Sequence, residues 1–172
     1  GTATRTTVEP MSEILHAWAV APAAVGACCL AADRARVRPP EVAASVLMLL
    51  AMLDAAVFGL IAPVYWTALL IVAAVGLAVW RRPRQRRAPR VPALMTVHTT
   101  LGMVVMAGLQ VAMGGHSPTH THGVALGPLM FGAAAGYAVF SSVAMRRMPA
   151  RLDRAQIGAM AASVVLMAVA AV

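Results

Sequence analysis

Charge is scarce in this chain. Only 12% of its 172 residues are charged, six of them acidic, and all fourteen basic residues are arginine. An ordinary soluble domain carries charge on about 25% of its residues, so that class is excluded at the outset. Cysteine is limited to the adjacent pair Cys28 and Cys29, which offers neither a disulfide framework nor the spacing of a zinc or redox motif. Both read as small packing residues. There is no glycine-rich phosphate loop after a strand, no serine nucleophile elbow, no HExxH helix and no closely spaced acidic pair. These absences argue against a hydrolase or an ATP-driven pump and lean away from an enzyme altogether. The opening GTATRTTVEP lacks the basic-then-apolar order of a cleavable signal. Met11-Ser-Glu reads as a natural start, and residues 1–12 as a polar N-terminal extension.

Apolar residues are what the chain has in abundance: 60% of it is hydrophobic and its mean hydropathy is +0.78. They fall into six runs, about 14–32, 42–61, 64–80, 93–113, 124–145 and 155–172. A bilayer core is crossed by about 20 apolar residues in a helix, so each run predicts a span. The expected fold is an all-α polytopic membrane bundle of six transmembrane helices occupying residues 13–172. Trp18, Tyr65, Trp66 and Trp80 stand at run ends, where aromatic side chains suit the headgroup level.

A net charge of +8 and a pI near 11.4 would suggest nucleic acid on a soluble surface. Placement excludes that partner, because all the arginines except Arg5 lie in three short segments between runs. The richest of these holds Arg81, Arg82, Arg84, Arg86, Arg87 and Arg90 and is suited to anionic lipid heads or a partner chain. The arginine-rich turns follow spans one, three and five, so the positive-inside rule puts them in the cytoplasm of a plasma-membrane protein. Both termini and the loop after span four are then extracytoplasmic.

That loop carries His116, His120 and His122 within seven residues. Neutral imidazole is the commonest metal ligand, and copper and zinc both accept it. The span leading to the loop places Thr96, Thr99, Met103, Met106, Gln110 and Met113 at steps of three and four, on one helical face. Span two repeats the pattern with Ser45, Met48, Met52, Ala55 and Gly59. Thioethers are soft ligands that suit copper(I). Methionine also fills irregular gaps between helices, so the two faces are consistent with plain packing as well. If Met48 and Met52 face Met103, Met106 and Met113, a soft-ligand path descends from the histidine loop.

Three intramembrane polar residues stand out: Asp54, His98 and Gln110. No arginine lies inside a span, so Asp54 is expected to be protonated, hydrogen-bonded to a group such as Gln110, or neutralised by a cation. As a metal or proton site it would support an ion-coupled transporter. His98 points away from the methionine face, about 80° from Met106 and about 140° from Met103. It is expected to pack against a hydroxyl or carbonyl of a neighbouring helix. A bis-histidine haem is disfavoured, because His16 lies near the outer surface and His98 near the inner one. Gly132 and Gly136 in span five form a small-xxx-small pair that lets helices approach closely.

The alternation of short arginine-and-proline loops with alanine- and methionine-rich spans, including SVLMLLAM and HTTLGMVVMAG, resembles small multi-span membrane proteins of unknown function from actinobacteria. In such proteins a histidine followed by methionines opens a span, as His98, Met103 and Met106 do here. Span two departs from that pattern, with Ser45 where a histidine would stand. The resemblance implies a membrane bundle and brings no activity with it. Two functional expectations remain. One is a non-catalytic accessory subunit that packs on a larger membrane complex through Gly132 and Gly136, to which a copper-binding or copper-delivery role can be added; the other is a stand-alone copper-handling protein, with the Asp54-centred transporter as a third alternative.

Overall fold

A computed structural model describes residues 5–32, 39–85, 90–114 and 123–170, and among them every regular element is helical. The order is α1 (Arg5–Ala32), α2 (Pro39–Leu53), a π-helical turn (Asp54–Phe58), α3 (Pro63–Gln85), α4 (Arg90–Gly114), α5 (Gly123–Arg147) and α6 (Arg151–Ala170). Five segments are long and apolar enough to cross a membrane: Pro39–Phe58, Pro63–Trp80, Ala93–Met113, Gly127–Arg147 and Arg151–Ala170. In α1 a shorter apolar stretch runs from Trp18 to Cys29. The chain is thus a multi-span, all-helical membrane protein. Helices are the expected solution in lipid, since they satisfy their backbone polar groups internally.

Local chemistry explains most boundaries. Proline is tolerated in the first turn, where its missing N–H costs nothing, and Pro39 and Pro63 open α2 and α3. The second span differs from its expected extent of 42–61. It ends at Phe58, where Gly59 adopts a left-handed φ of 57° and its N–H closes on the Asp54 carbonyl at 2.6 Å. Only glycine takes that conformation at little cost. The first helix starts at Arg5, so residues 5–12 are helical.

α4 is the centre of the bundle. Of its span 61% is buried, against 22% for those of α3 and α5. α1 packs chiefly on α6 and α3 on α4, α5 packs on α6 and also on α4, while α2 touches α1, α3 and α4. α4 and α6 also meet across the interior. Lipid tails are as apolar as leucine, so close packing and interhelical hydrogen bonds hold such a bundle together. α4 makes most of these bonds. Its Thr96 hydroxyl donates to Glu41 Oε1 of α2 at 3.2 Å, and its Gln110 amide donates to the Ala51 carbonyl of α2 at 3.4 Å. From α3, the Thr67 hydroxyl reaches the Ala107 carbonyl at 3.3 Å.

Candidate functional site

Met48 and Met52 of α2 and Met103 and Met106 of α4 are all buried in one core cluster, joined there by Met160 and Met167 of α6. Met113 and Met130 pack against its edge. Thr96, Thr99 and Gln110, which share the α4 face, are buried with it. On α2 the face is shorter than an ideal helix would give. Ser45, Met48 and Met52 are buried, but Ala55 and Gly59 are exposed, because the wider π-helical turn rotates them off the face. The interior therefore combines thioethers with a few hydroxyls and amides. Among the described residues no group of three histidine, cysteine or acidic side chains is placed to hold a metal ion.

His98 is fully buried, although it points away from the methionine face, because α4 is covered on more than one side. Its ring stacks on Tyr137 of α5 with centroids 5.0 Å apart. Nε2 lies 3.0 Å from Ser141 Oγ and 3.0 Å from Tyr137 Oη. The Ser141 hydroxyl donates to the Tyr137 carbonyl at 2.7 Å, so toward His98 its oxygen accepts. That assigns the ring proton to Nε2. Gly102 makes the cluster possible, since a Cβ there would lie 2.7 Å from Tyr137 Oη. His98 is thus a packed, hydrogen-bonded core histidine, and both ring edges face α5 partners. Replacing it with leucine strands the buried Tyr137 hydroxyl and forfeits the ring stacking, and should cost about 2–3 kcal/mol, whereas Tyr137→Phe, which leaves His98 its Ser141 partner, should cost about 1 kcal/mol. Thermal unfolding in detergent measures both; equal midpoints for the two variants would contradict this account.

Asp54 is neither bonded to Gln110 nor left exposed in the membrane. Its Oδ1 accepts the Leu60 N–H at 3.0 Å, and its Oδ2 accepts the Ile61 N–H at 3.1 Å and the Trp66 indole N–H at 2.7 Å. The side chain ties the end of α2 to the start of α3. Three converging donors match an acceptor-only carboxylate, so of the three expected ways to satisfy Asp54 hydrogen bonding is the one seen, with other partners than Gln110. Trp66 is correspondingly buried at 8% exposure, unlike Tyr65 at 69% and Trp80 at 63%, so it is not an interfacial anchor.

The remaining candidates separate. Gly132 and Gly136 lie on the outside of α5, and a Cβ at either would meet nothing within 4 Å, so they bring no two helices of this chain together. His116, His120 and His122 lie outside the described residues, as do Arg86 and Arg87. Arg81, Arg82 and Arg84 fall in the last turns of α3, and Arg90 opens α4. Sequence reasoning missed the buried Glu41, Tyr137, Ser141, Met160 and Ser163. Tyr137 and Ser141 are four residues apart on one face of α5, a spacing that could have flagged them as partners for His98. A recess of about 290 Å³ between α3 and α4 is lined mainly by aliphatic side chains such as Val97, Leu101 and Val104 and carries no ionisable group. Comparison with protein-family models, curated proteins and solved structures returns no match.

Proposed function

We propose that this chain is a non-catalytic membrane subunit that binds or delivers copper. The observation supporting this reading is that Met48 and Met52 of α2 and Met103 and Met106 of α4 are all buried in one core cluster. Thioethers favour copper(I) and do little for hard cations. In this reading His116, His120 and His122 capture copper at the outer surface, and Met113 stands between that loop and the deeper methionines. The outward face of α5 around Gly132 and Gly136 is where a further membrane chain would pack, small residues allowing close approach. A transporter built on Asp54 is less favoured, because both of its oxygens are already engaged.

The proposal includes six spans, with both termini and the histidine loop outside the plasma membrane. Cysteine-labelling reads that orientation. In a background lacking Cys28 and Cys29, Pro118→Cys should react with an impermeant reagent on intact cells and Gln85→Cys only after permeabilisation. The reverse pattern would invert the topology. Function is tested by elemental analysis of gently solubilised protein, with every co-purifying chain identified. Near-stoichiometric copper that falls when the three loop histidines are replaced, together with reproducible partner chains, is the expected result. Absence of copper would return the methionines to the role of core filler.

A further inference from the structure

Between α1, α2 and α6 lies a cavity of about 10 Å³, room for the centre of one small atom or ion. Ser45, Met48 and Met52 of α2 line it, with Met160 and Ser163 of α6 opposite. Ala23 and Ala27 of α1 close the third side. Met48 and Met160 each stand near the middle of their spans, Pro39–Phe58 and Arg151–Ala170, so the cavity sits deep in the membrane. Its walls are tight: a Cβ at Gly26 of α1 would already be in contact with Ala159 at 3.5 Å and with Met160 at 3.7 Å.

The polar groups here point to a ligand. Ser45 is only 7% exposed, and its Oγ has no hydrogen-bond partner. The Ser163 hydroxyl donates to the Ala159 carbonyl at 3.0 Å, which leaves its oxygen lone pairs available. The Gln156 amide donates to Met160 Sδ at a long 4.0 Å, a weak contact that leaves the sulfur a second lone pair. An unpartnered hydroxyl and three flexible thioethers around a space for one atom are a donor set for a soft cation. Charge selects among such ions. No carboxylate lines the cavity, and a divalent ion without an anionic ligand is too costly to desolvate there. A monovalent ion costs less, and thioethers prefer copper(I) to sodium or potassium.

We infer that Met48, Met52 and Met160, assisted by Ser45 and Ser163, form a mid-membrane site for one copper(I) ion, or for its closed-shell analogue silver(I). This rests on the copper-binding reading above and names a site for it on α2 and α6, away from the α4 methionines. The ion is taken up and held as copper(I), with no change of oxidation state.

The test uses the full chain in detergent with the three loop histidines replaced by alanine, titrated anaerobically with copper(I) against a chromogenic copper(I) chelator. One ion per chain is expected. The Met48→Leu/Met160→Leu double variant should weaken binding by about 100-fold, the upper end of what losing even a ligand-supporting group costs. Ser45→Ala should weaken it by about tenfold, the lower end of that range. Met95→Leu/Met148→Leu alters two buried methionines of the separate cluster around Ile157 and should leave binding unchanged. Leucine is close to methionine in volume, so the folds should survive, and thermal unfolding checks each. If the double variant fails to fold, Met160→Leu alone and Ser45→Ala carry the test. Unchanged binding in these variants overturns this site; loss in Met103→Leu/Met106→Leu instead would leave the copper reading standing with a different location. No copper bound by the parent chain would overturn the mid-membrane site, and no copper even with the loop histidines intact would overturn the copper reading as well.

Discussion

Replacing Asp54 with alanine should lower the unfolding midpoint more than either of the milder changes below, because it strands three donors at once. Two of those donors are the backbone N–H groups of Leu60 and Ile61, where the chain reverses after Gly59. The third is the buried indole of Trp66, whose loss of a partner weighs most, since the two backbone groups are only partly buried. Asp54→Asn should lower it less, since the amide oxygen can serve the two donors on Oδ2 while its NH2 opposes the Leu60 N–H. Trp66→Phe removes one donor with its need and should cost about 1 kcal/mol. Thermal unfolding in detergent ranks the three. If Asp54→Ala unfolds at the parent temperature, the carboxylate is not a structural clamp, and a proton or cation role regains its footing.

Gly102 should be the least substitutable glycine in the bundle. A Cβ there would lie 2.7 Å from Tyr137 Oη and 3.2 Å from its Cζ. The tyrosine cannot easily retreat, being 1% exposed and stacked on His98. Gly102→Ala is expected to cost about 1–3 kcal/mol as an overpacked contact, and Gly102→Leu to separate α4 from α5 and prevent folding. Gly108 is an instructive contrast. Its Cβ would approach Met130 Sδ at 2.5 Å, yet that sulfur is near the end of a flexible side chain and can move aside, so Gly108→Ala should be milder. Tyr137→Phe removes the clashing oxygen and should recover part of the Gly102→Ala loss, a coupling of about 1 kcal/mol in a double-mutant cycle. Strict additivity of the two changes would show that the contact is not the cause.

The comparison of these two residues shows where the sequence is informative. Periodicity found the buried α4 face, Thr96 to Gln110, because apolar and soft residues at helical spacing mark a face whatever they do there. It found the α2 face only as far as Met52, since nothing in an ideal 100° step anticipates the π-helical turn at Asp54. Asp54 was recognisable as a residue needing a partner, but that partner lies across a chain reversal, and Trp66 was read from its position at a span end. His98 was legible as a hydrogen-bonded core residue, though not its pairing with Tyr137 and Ser141, which required knowing that α5 lies against α4. Glu41 was hidden beside Pro39 and Pro40, read as a loop; it sits in the first turn of α2 and is 1% exposed. The cavity bounded by α6 was beyond reach altogether, because Met160 and Ser163 acquire meaning only once α6 is seen to pack against α1 and near α2.

The proposed function has this core hold copper through sulfur. Copper-edge X-ray absorption on the protein, loaded under reducing conditions, tests it most directly. The expected result is a copper(I) edge with a coordination sphere dominated by sulfur, persisting when His116, His120 and His122 are replaced and lost when the core methionines become leucine. A sphere of nitrogen and oxygen alone, or protein that retains no copper at all, would contradict it.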